Sequence, residues 1–232
     1  MDQLLVALDL DTADDARRMA DRLRGHVGGL KVNVHLYTAE GPQFVRGLIE
    51  RGDKVFLDLK YHDIPNTVAG AVRTAARLGV WMLNVHAGGG RAMMQAARTA
   101  ARQAHEESGR APFVIAVTVL TSLDEPSLAE TGVSGSLDQQ VERLALLAQD
   151  AGLDGVVASP RETERLRRRC GPGFLIVTPG IRAASGGDDQ ARTMSALEAL
   201  QAGADYIVVG RPILRAADPL AAARDIAAIT GS

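Results

Sequence analysis

The sequence predicts an α/β fold, a closed single-domain (β/α)8 barrel, and three observations lead to it. Eight short apolar runs alternate along the chain with Ala-, Arg- and Leu-rich stretches of helical periodicity. Hydrophobic residues make up 46% of the chain and aromatic residues only 3%, so aliphatic side chains must fill the core, as in helices packed on a parallel sheet. The first run leads into Asp9-Leu10-Asp11-Thr12, not into the glycine-rich turn of an open doubly wound sheet.

The apolar, β-branched runs predict the strands. In chain order they cover residues 4–8, 29–32, 54–57, 81–85, 113–119, 155–158, 174–177 and 206–209. Eight such runs fit a closed barrel better than an open sheet, which usually has about five to seven strands.

The stretches between the strands predict helices because their apolar residues recur at helical spacing. They include residues 13–23, 67–78, 91–107, 136–151, 162–169 and 195–202. Several are followed by a glycine that marks the end of a helix: Gly79, Gly152 and Gly203.

Length and composition exclude several classes of protein. The 232 residues fit one domain over 1–232, with no linker or change in composition inside it. A net charge of -2 provides no general basic field for nucleic acid or an anionic membrane. Cys170 is the only cysteine, so no internal disulfide can form. We find no basic leader at the N-terminus and no stretch long enough to span a membrane, and we therefore expect a cytoplasmic protein.

The segment 56–67, FLDLKYHDIPNT, carries the strongest chemical signal. It places Asp58 and Lys60 at the predicted end of an apolar strand, and alternate residues of an extended chain share a face. Flanking carboxylates keep a lysine ammonium charged, so Lys60 should be a fixed cation and a proton donor. The alternative is a structural ion pair at the end of a strand.

Polar residues recur at the predicted carboxyl ends of the other strands, where the reactive groups of such barrels stand. They are Asp9, Lys31, Asn33, Asn84, His86, Thr118, Thr121, Ser122, Arg182, Gly210 and Arg211. This ring predicts an active site. For His86 a catalytic role and a core histidine both remain open, whereas we expect structural roles for Asn84 and His62. No Cys/His cluster has the spacing of a zinc site, so we expect no metal.

The end of the eighth predicted strand suggests a phosphate site. The order strand, Gly210, Arg211 and a helix start fits a site where backbone N–H groups and a guanidinium hold an anion. The preceding segment 179–192 is long, polar and glycine-bearing, which suits a lid. A surface loop without function is the competing interpretation.

Taken together, these motifs resemble bacterial orotidine 5'-phosphate decarboxylases. The resemblance runs from Asp9 to Arg211 and is carried by Lys31, the block DLKYHDIPNT at 58–67, LTS at 120–122, PGIR at 179–182, Gln190, and Gly210-Arg211. It implies a TIM barrel and a lyase of pyrimidine biosynthesis that decarboxylates orotidine 5'-monophosphate to UMP without a cofactor. It also implies a homodimer.

The resemblance further implies a role for each matching residue. Lys31, Asp58, Lys60 and the partner's Asp63 would form an alternating charge array, with Thr67 also reaching the partner's site. Asp9 and Lys31 would approach the ribose, while Thr121 and Ser122 would flank the pyrimidine. The phosphate would be held by Arg182, Gln190, Gly210 and Arg211. Lys60 would stabilise the carbanion at C6 of the ring and then protonate it.

Two alternatives remain open at this point. The nearest is a metal-dependent enzyme on the same barrel, such as a 3-keto-gulonate 6-phosphate decarboxylase or a hexulose-phosphate synthase, which share a looser acid-x-K-x-x-D motif. The other is a non-catalytic nucleotide sensor that keeps the phosphate site. The continuation HDIPNT and the segment LTS favour the orotidylate decarboxylase.

Overall fold

A computed structural model describes residues 2–109, 111–181 and 195–230. In this part of the chain it contains eight β-strands, which confirms the predicted alternation. Their bounds are β1 Leu4–Ala7, β2 Gly29–Asn33, β3 Val55–Tyr61, β4 Met82–His86, β5 Phe113–Val117, β6 Gly155–Val157, β7 Leu175–Thr178 and β8 Tyr206–Val209.

Helices follow the strands along the same described residues. Their bounds are α1 Ala13–Leu23, α2 Val34–Glu50, α3 Pro65–Leu78, α4 Gly90–Ser108, α5 Glu125–Glu130, α6 Leu137–Asp150, α7 Pro160–Cys170, α8 Ala196–Gln201, α9 Arg211–Leu214 and α10 Pro219–Thr230. A 3-10 turn, Ala87–Gly89, lies between β4 and α4.

The strands form a closed parallel barrel in sequence order, with β8 paired to β1. This confirms the predicted (β/α)8 fold. Two apolar layers follow from the alternation of side chains along each strand. Leu5, Phe56, Met82 and Ile115 fill the barrel interior. A larger layer between the sheet and the helices contains the strand residues that point outward, such as Leu57.

Local sequence explains where most helices begin and end. The Ser136 hydroxyl accepts the N–H of Gln139, whose side chain accepts the Ser136 N–H, and this capping box starts α6. Gly79 ends α3 in a left-handed conformation with φ 90°. The six predicted helices did not include α2. Gly41, with φ 68°, and Pro42 lie inside it and interrupt the helical pattern that the sequence would otherwise show.

Two strand bounds differ from the prediction in ways that matter for the site. β3 does not end at Leu57 but continues to Tyr61, and β5 ends at Val117, before residues 118 and 119. Among the described residues, no helix is both long enough and apolar enough to cross a membrane.

Candidate active site

A cavity of about 250 Å³ opens at the carboxyl ends of the barrel strands. Its lining combines charged side chains on one side with apolar side chains on the other. The polar and charged members are Asp9, Lys31, Asp58, Lys60, Thr121 and Arg211, and the apolar ones include Val117, Val157, Val177 and Ile181. The cavity can thus hold a ligand that has both a charged group and a flat or apolar part.

Four of the lining residues form a continuous chain of alternating charge. Lys31 Nζ lies 3.4 Å from Asp9 Oδ1 and 3.1 Å from Asp58 Oδ2. Lys60 Nζ lies 2.6 Å from Asp58 Oδ1. The side chains of Lys31 and Asp58 are 11% and 10% exposed, and that of Lys60 is 35% exposed. The Lys60 ammonium is therefore the more open of the two cations that contact Asp58.

Asp58 is held as a carboxylate. Burial by itself would raise its pKa, but the charges of Lys31 and Lys60, together with hydrogen bonds from Lys60 and Asn84, outweigh burial and lower the pKa to about 2. Asp58 is thus a fixed negative charge at neutral pH. It is a poor proton donor, whereas the neighbouring ammonium of Lys60 has protons to give.

The backbone at Lys60 departs from the extended chain on which the sequence argument rested. Its φ is 52°, and it is the only non-glycine residue with positive φ in the described parts of the chain. The register of β3 against β4 slips here, because Leu57 pairs with Leu83 but Tyr61 pairs with Val85. Asp58 and Lys60 both point into the cavity, as predicted. The cause differs from the prediction, because an irregular backbone at Lys60 brings them together instead of the regular alternation of a strand.

Two asparagines of the predicted ring, Asn33 and Asn84, hold members of this chain in place. Asn33 donates from Nδ2 to Asp9 Oδ1 at 2.8 Å and, through Oδ1, accepts the N–H of Leu36 at the start of α2. Asn84 donates to Asp58 Oδ1 at 2.7 Å and accepts the backbone N–H of Lys60 at 2.8 Å. Both lie at the carboxyl ends of their strands, where the sequence analysis placed them, but their individual hydrogen bonds were not predicted.

His62 and His86 meet beside the charged chain. Their Nδ1 atoms are 3.4 Å apart, and their rings form an edge contact with centroids 5.4 Å apart. Burial, and then the neighbouring charges of His62 and Lys60, lower the pKa of His86. His86 Nε2 is buried without a hydrogen-bond partner. These features favour a neutral imidazole at position 86, and the cavity lining does not include it.

The remaining predicted residues fall into three groups. Thr121, Gly210 and Arg211 line the cavity, and a methyl group at Gly210 would lie 3.7 Å from Asp9 Oδ2. Asp63, Thr67 and Ser122 are exposed and lie outside the lining of the cavity. Arg182 and Gln190 lie outside the described residues, as does most of the predicted lid.

No group of three His, Cys, Asp or Glu side chains in the described ranges is arranged to hold a metal ion. In the cavity, both oxygens of Asp58 face ammonium groups, and Asp9 Oδ1 faces Lys31 and Asn33. Both oxygens of Asp58 and Oδ1 of Asp9 are thus occupied by the protein's own donors. Among the described residues that line the cavity, the positive charge offered to a ligand comes from Lys31, Lys60 and Arg211.

Comparison with curated proteins gives close relatives. The chain is 56% identical over 230 residues to the orotidine 5'-phosphate decarboxylase of Moorella thermoacetica, covering 98% of this chain and 91% of the relative. It is 55% identical to the protein of the same name from Alkalilimnicola ehrlichii, covering 95% and 92%.

Solved structures agree with these relatives. An orotidine 5'-phosphate decarboxylase from Lactobacillus acidophilus superposes with a TM-score of 0.90 at 36% identity, covering 99% of each chain. An uncharacterized conserved protein from Geobacillus kaustophilus is 42% identical with a TM-score of 0.86, covering 97% of this chain and 99% of that one.

A family model described as Orotidine 5'-phosphate decarboxylase / HUMPS family matches residues 2–226, which is nearly the whole chain. With the barrel, the charged chain at its carboxyl end and the similarity of the relatives, this match settles the family. The protein belongs to the Orotidine 5'-phosphate decarboxylase / HUMPS family.

Proposed function

We propose that this protein decarboxylates orotidine 5'-monophosphate to UMP, a step of pyrimidine biosynthesis, as one domain over residues 1–232 and without a cofactor. One observation carries the proposal: the Asp58 carboxylate lies between the ammonium groups of Lys31 and Lys60 at the mouth of the barrel. The chain shares 50% to 56% identity with proteins named for this activity, which favours it over the other activities considered from the sequence.

The chemistry needs a cation beside the reacting carbon. When the bond between C6 and the carboxylate breaks, CO2 leaves and the electron pair remains on C6, where the ring π system cannot delocalise it. The ammonium of Lys60, fixed by Asp58, stabilises that pair electrostatically. The same ammonium then transfers one proton to C6 to give UMP, and solvent returns a proton to the amine.

The other lining residues have binding roles in this proposal. Asp9, held by Lys31 and Asn33, accepts hydrogen bonds from the ribose hydroxyls. Thr121 and Ser122 border the pyrimidine, and Gly210 and Arg211 hold the phosphate together with Arg182 and Gln190. When the ligand is fully enclosed, the binding energy of the phosphate contacts can lower the free-energy barrier to decarboxylation at C6.

We also propose that the active form is a homodimer in which Asp63 and Thr67 complete the site of the partner. Residues 62–67 are all exposed, and none of them lines the cavity of its own chain. Ile64 in this stretch is 68% exposed, and Val34, after the neighbouring strand β2, is 57% exposed. A partner subunit that packs on this face would cover both side chains, as the apolar core of a dimer interface does. The cytoplasmic location stays a prediction from the sequence.

The experiment that tests this function measures turnover of orotidine 5'-monophosphate by purified protein that has been treated with a chelator. We expect the orotidylate absorbance to fall, with one CO2 released for each UMP formed. Chelator should leave the rate unchanged, because Lys60 supplies the positive charge at the reacting carbon.

Two other results would favour the alternatives. Turnover that is lost with chelator and restored by Mg²⁺ would indicate a metal-dependent sugar-phosphate enzyme, especially if the protein consumes 3-keto-gulonate 6-phosphate. Tight binding of UMP without any turnover of the substrate would indicate a nucleotide sensor.

A further inference from the structure

Asn84 makes two hydrogen bonds from one side chain, and both go to the central pair of the site. Its carbonyl oxygen accepts the backbone N–H of Lys60 at 2.8 Å, and its amide nitrogen donates to Asp58 Oδ1 at 2.7 Å. The side chain stands on β4, next to β3, and the residue is only 1% exposed. Water therefore cannot easily replace either bond.

The first bond supports an unusual backbone. Lys60 has a φ of 52°, a conformation that is unfavourable for a non-glycine residue and persists only where its surroundings hold it. Asn84 lies on β4 between Leu83 and Val85, directly across from the register slip that contains Lys60. The carboxamide oxygen of Asn84 accepts the Lys60 N–H, which in a regular parallel sheet would donate to a main-chain carbonyl. The amide of Asn84 thus helps to fix where the Lys60 side chain starts.

The second bond fixes the carboxylate that receives Lys60. Asp58 Oδ1 accepts from both Lys60 Nζ, at 2.6 Å, and Asn84 Nδ2, while Oδ2 faces Lys31 Nζ. Two cations alone could pull a carboxylate into several orientations. A neutral donor from a buried strand orients the group without cancelling its charge.

We propose that Asn84 is a positioning residue for decarboxylation, which sets both the backbone of Lys60 and the plane of the Asp58 carboxylate. The inference rests on the proposed function and assigns Asn84 no contact with the substrate. Positioning of this kind matters most in the transition state, and a displacement of about 1 Å at a reacting group can cost about 100-fold in rate.

Two variants distinguish the effects of the two hydrogen bonds that the Asn84 side chain makes. Asn84→Asp is nearly isosteric and keeps an oxygen for the Lys60 N–H, but it replaces the donor with a second carboxylate facing Asp58. Asn84→Leu has a similar volume and removes both bonds. Thr163→Val is the control: Thr163 is fully buried on α7 and does not line the cavity, and its hydroxyl forms hydrogen bonds with Ser159 O and Thr178 Oγ1.

For both Asn84 variants we expect kcat to fall about 100-fold, while the Kd of UMP changes by less than about threefold and Thr163→Val keeps nearly wild-type values of both. Equal losses in kcat and in UMP affinity, or the same loss of kcat in Thr163→Val, would overturn the positioning role. Asn84→Asp keeps the test valid if Asn84→Leu does not fold.

Crystal structures of the free variants test the geometry without any substrate. In Asn84→Leu, which removes both bonds, we expect Lys60 to leave its positive φ and the distance from Lys60 Nζ to Asp58 Oδ1 to exceed hydrogen-bonding range. Asn84→Asp should keep the positive φ and displace the Asp58 carboxylate. In Asn84→Leu, an unchanged φ at Lys60 together with an unchanged distance between Lys60 Nζ and Asp58 Oδ1 would contradict the inference. Absence of turnover in the wild-type protein would instead count against the proposed function alone, because this structural comparison would still stand.

Discussion

His62 and His86 face each other with their Nδ1 atoms 3.4 Å apart. Only one proton can lie between these two nitrogens, because two facing N–H groups would repel each other. His86 is the more constrained of the two, since its other ring nitrogen is buried without a partner. Charged groups near it are His62, Lys60 and Asp58, and only Asp58 favours a charged His86.

This arrangement predicts a loss of stability in mild acid. The pKa of His86 is lowered from its ordinary 6.5, mainly by burial. The folded protein therefore favours the neutral ring, so its contribution to stability is present above pH 6.5 and is lost as pH falls through the lower folded pKa. Between about pH 8 and pH 5, the free energy of unfolding of His86→Gln should fall less than that of the wild type.

Urea denaturation at each pH measures this difference. The control is His35→Gln, because His35 is exposed at the start of α2; that variant should keep the wild-type slope. A steeper fall in His86→Gln than in the wild type would show that His86 is charged in the folded protein.

Arg211 should act on the phosphate and not on the ring. Arg211→Ala should weaken UMP binding about 10-fold to 100-fold, the equivalent of a hydrogen bond to a charged group. It should leave the weak turnover of the phosphate-free nucleoside largely unchanged, because that substrate has no phosphate for the guanidinium to hold. Isothermal titration with UMP and steady-state rates with the nucleoside measure the two effects.

The matched control is Arg215→Ala, an exposed arginine four residues later that does not line the cavity. It should have little effect with either ligand. If Arg211→Ala instead slows the nucleoside as much as the nucleotide, the side chain shapes the barrel mouth and does not bind phosphate.

The proposed shared site predicts complementation between two inactive chains. In a mixed dimer of Lys60→Ala and Asp63→Asn subunits, one site carries both changes and the other carries neither. Random exchange makes about half of the dimers mixed, so about a quarter of wild-type activity should return by the two-fold symmetry of the dimer. Activity after denaturation and refolding of an equal mixture measures this.

A mixture of two differently tagged Lys60→Ala chains controls for recovery during refolding and should stay inactive. Proven subunit exchange without any returned activity would mean that Asp63 acts in its own chain.

The sequence predicted the barrel and the region of the site because both depend on local pattern. Apolar strands between amphipathic helices define the alternation, and polar residues after those strands must meet at one end of a closed parallel sheet. The positions of Lys31, Asp58 and Lys60 followed from that rule, and the structure brings them together.

The details that could not be predicted depend on tertiary contacts. The positive φ of Lys60 has no sequence signal, because lysine gives no local preference for it. The two bonds of Asn84 depend on the register between β3 and β4, and the contact of His62 with His86 joins residues 24 positions apart. The helix α2 was missed because Gly41 and Pro42 interrupt its helical pattern, and the structure has a kink with a non-helical backbone at Gly41.

The central claim is that the Lys60 ammonium stabilises and protonates the carbanion, and Lys60→Ala tests it most directly. The measurement is kcat for orotidine 5'-monophosphate together with the Kd of UMP, with Lys54→Ala as the control, since Lys54 is an exposed lysine immediately before the same strand, β3. We expect Lys60→Ala to lower kcat by about 10²–10³-fold or more, with a much smaller change in Kd and wild-type values for Lys54→Ala. A Lys60→Ala variant that keeps more than about a tenth of wild-type kcat, a loss below about 1.4 kcal/mol, would contradict the account.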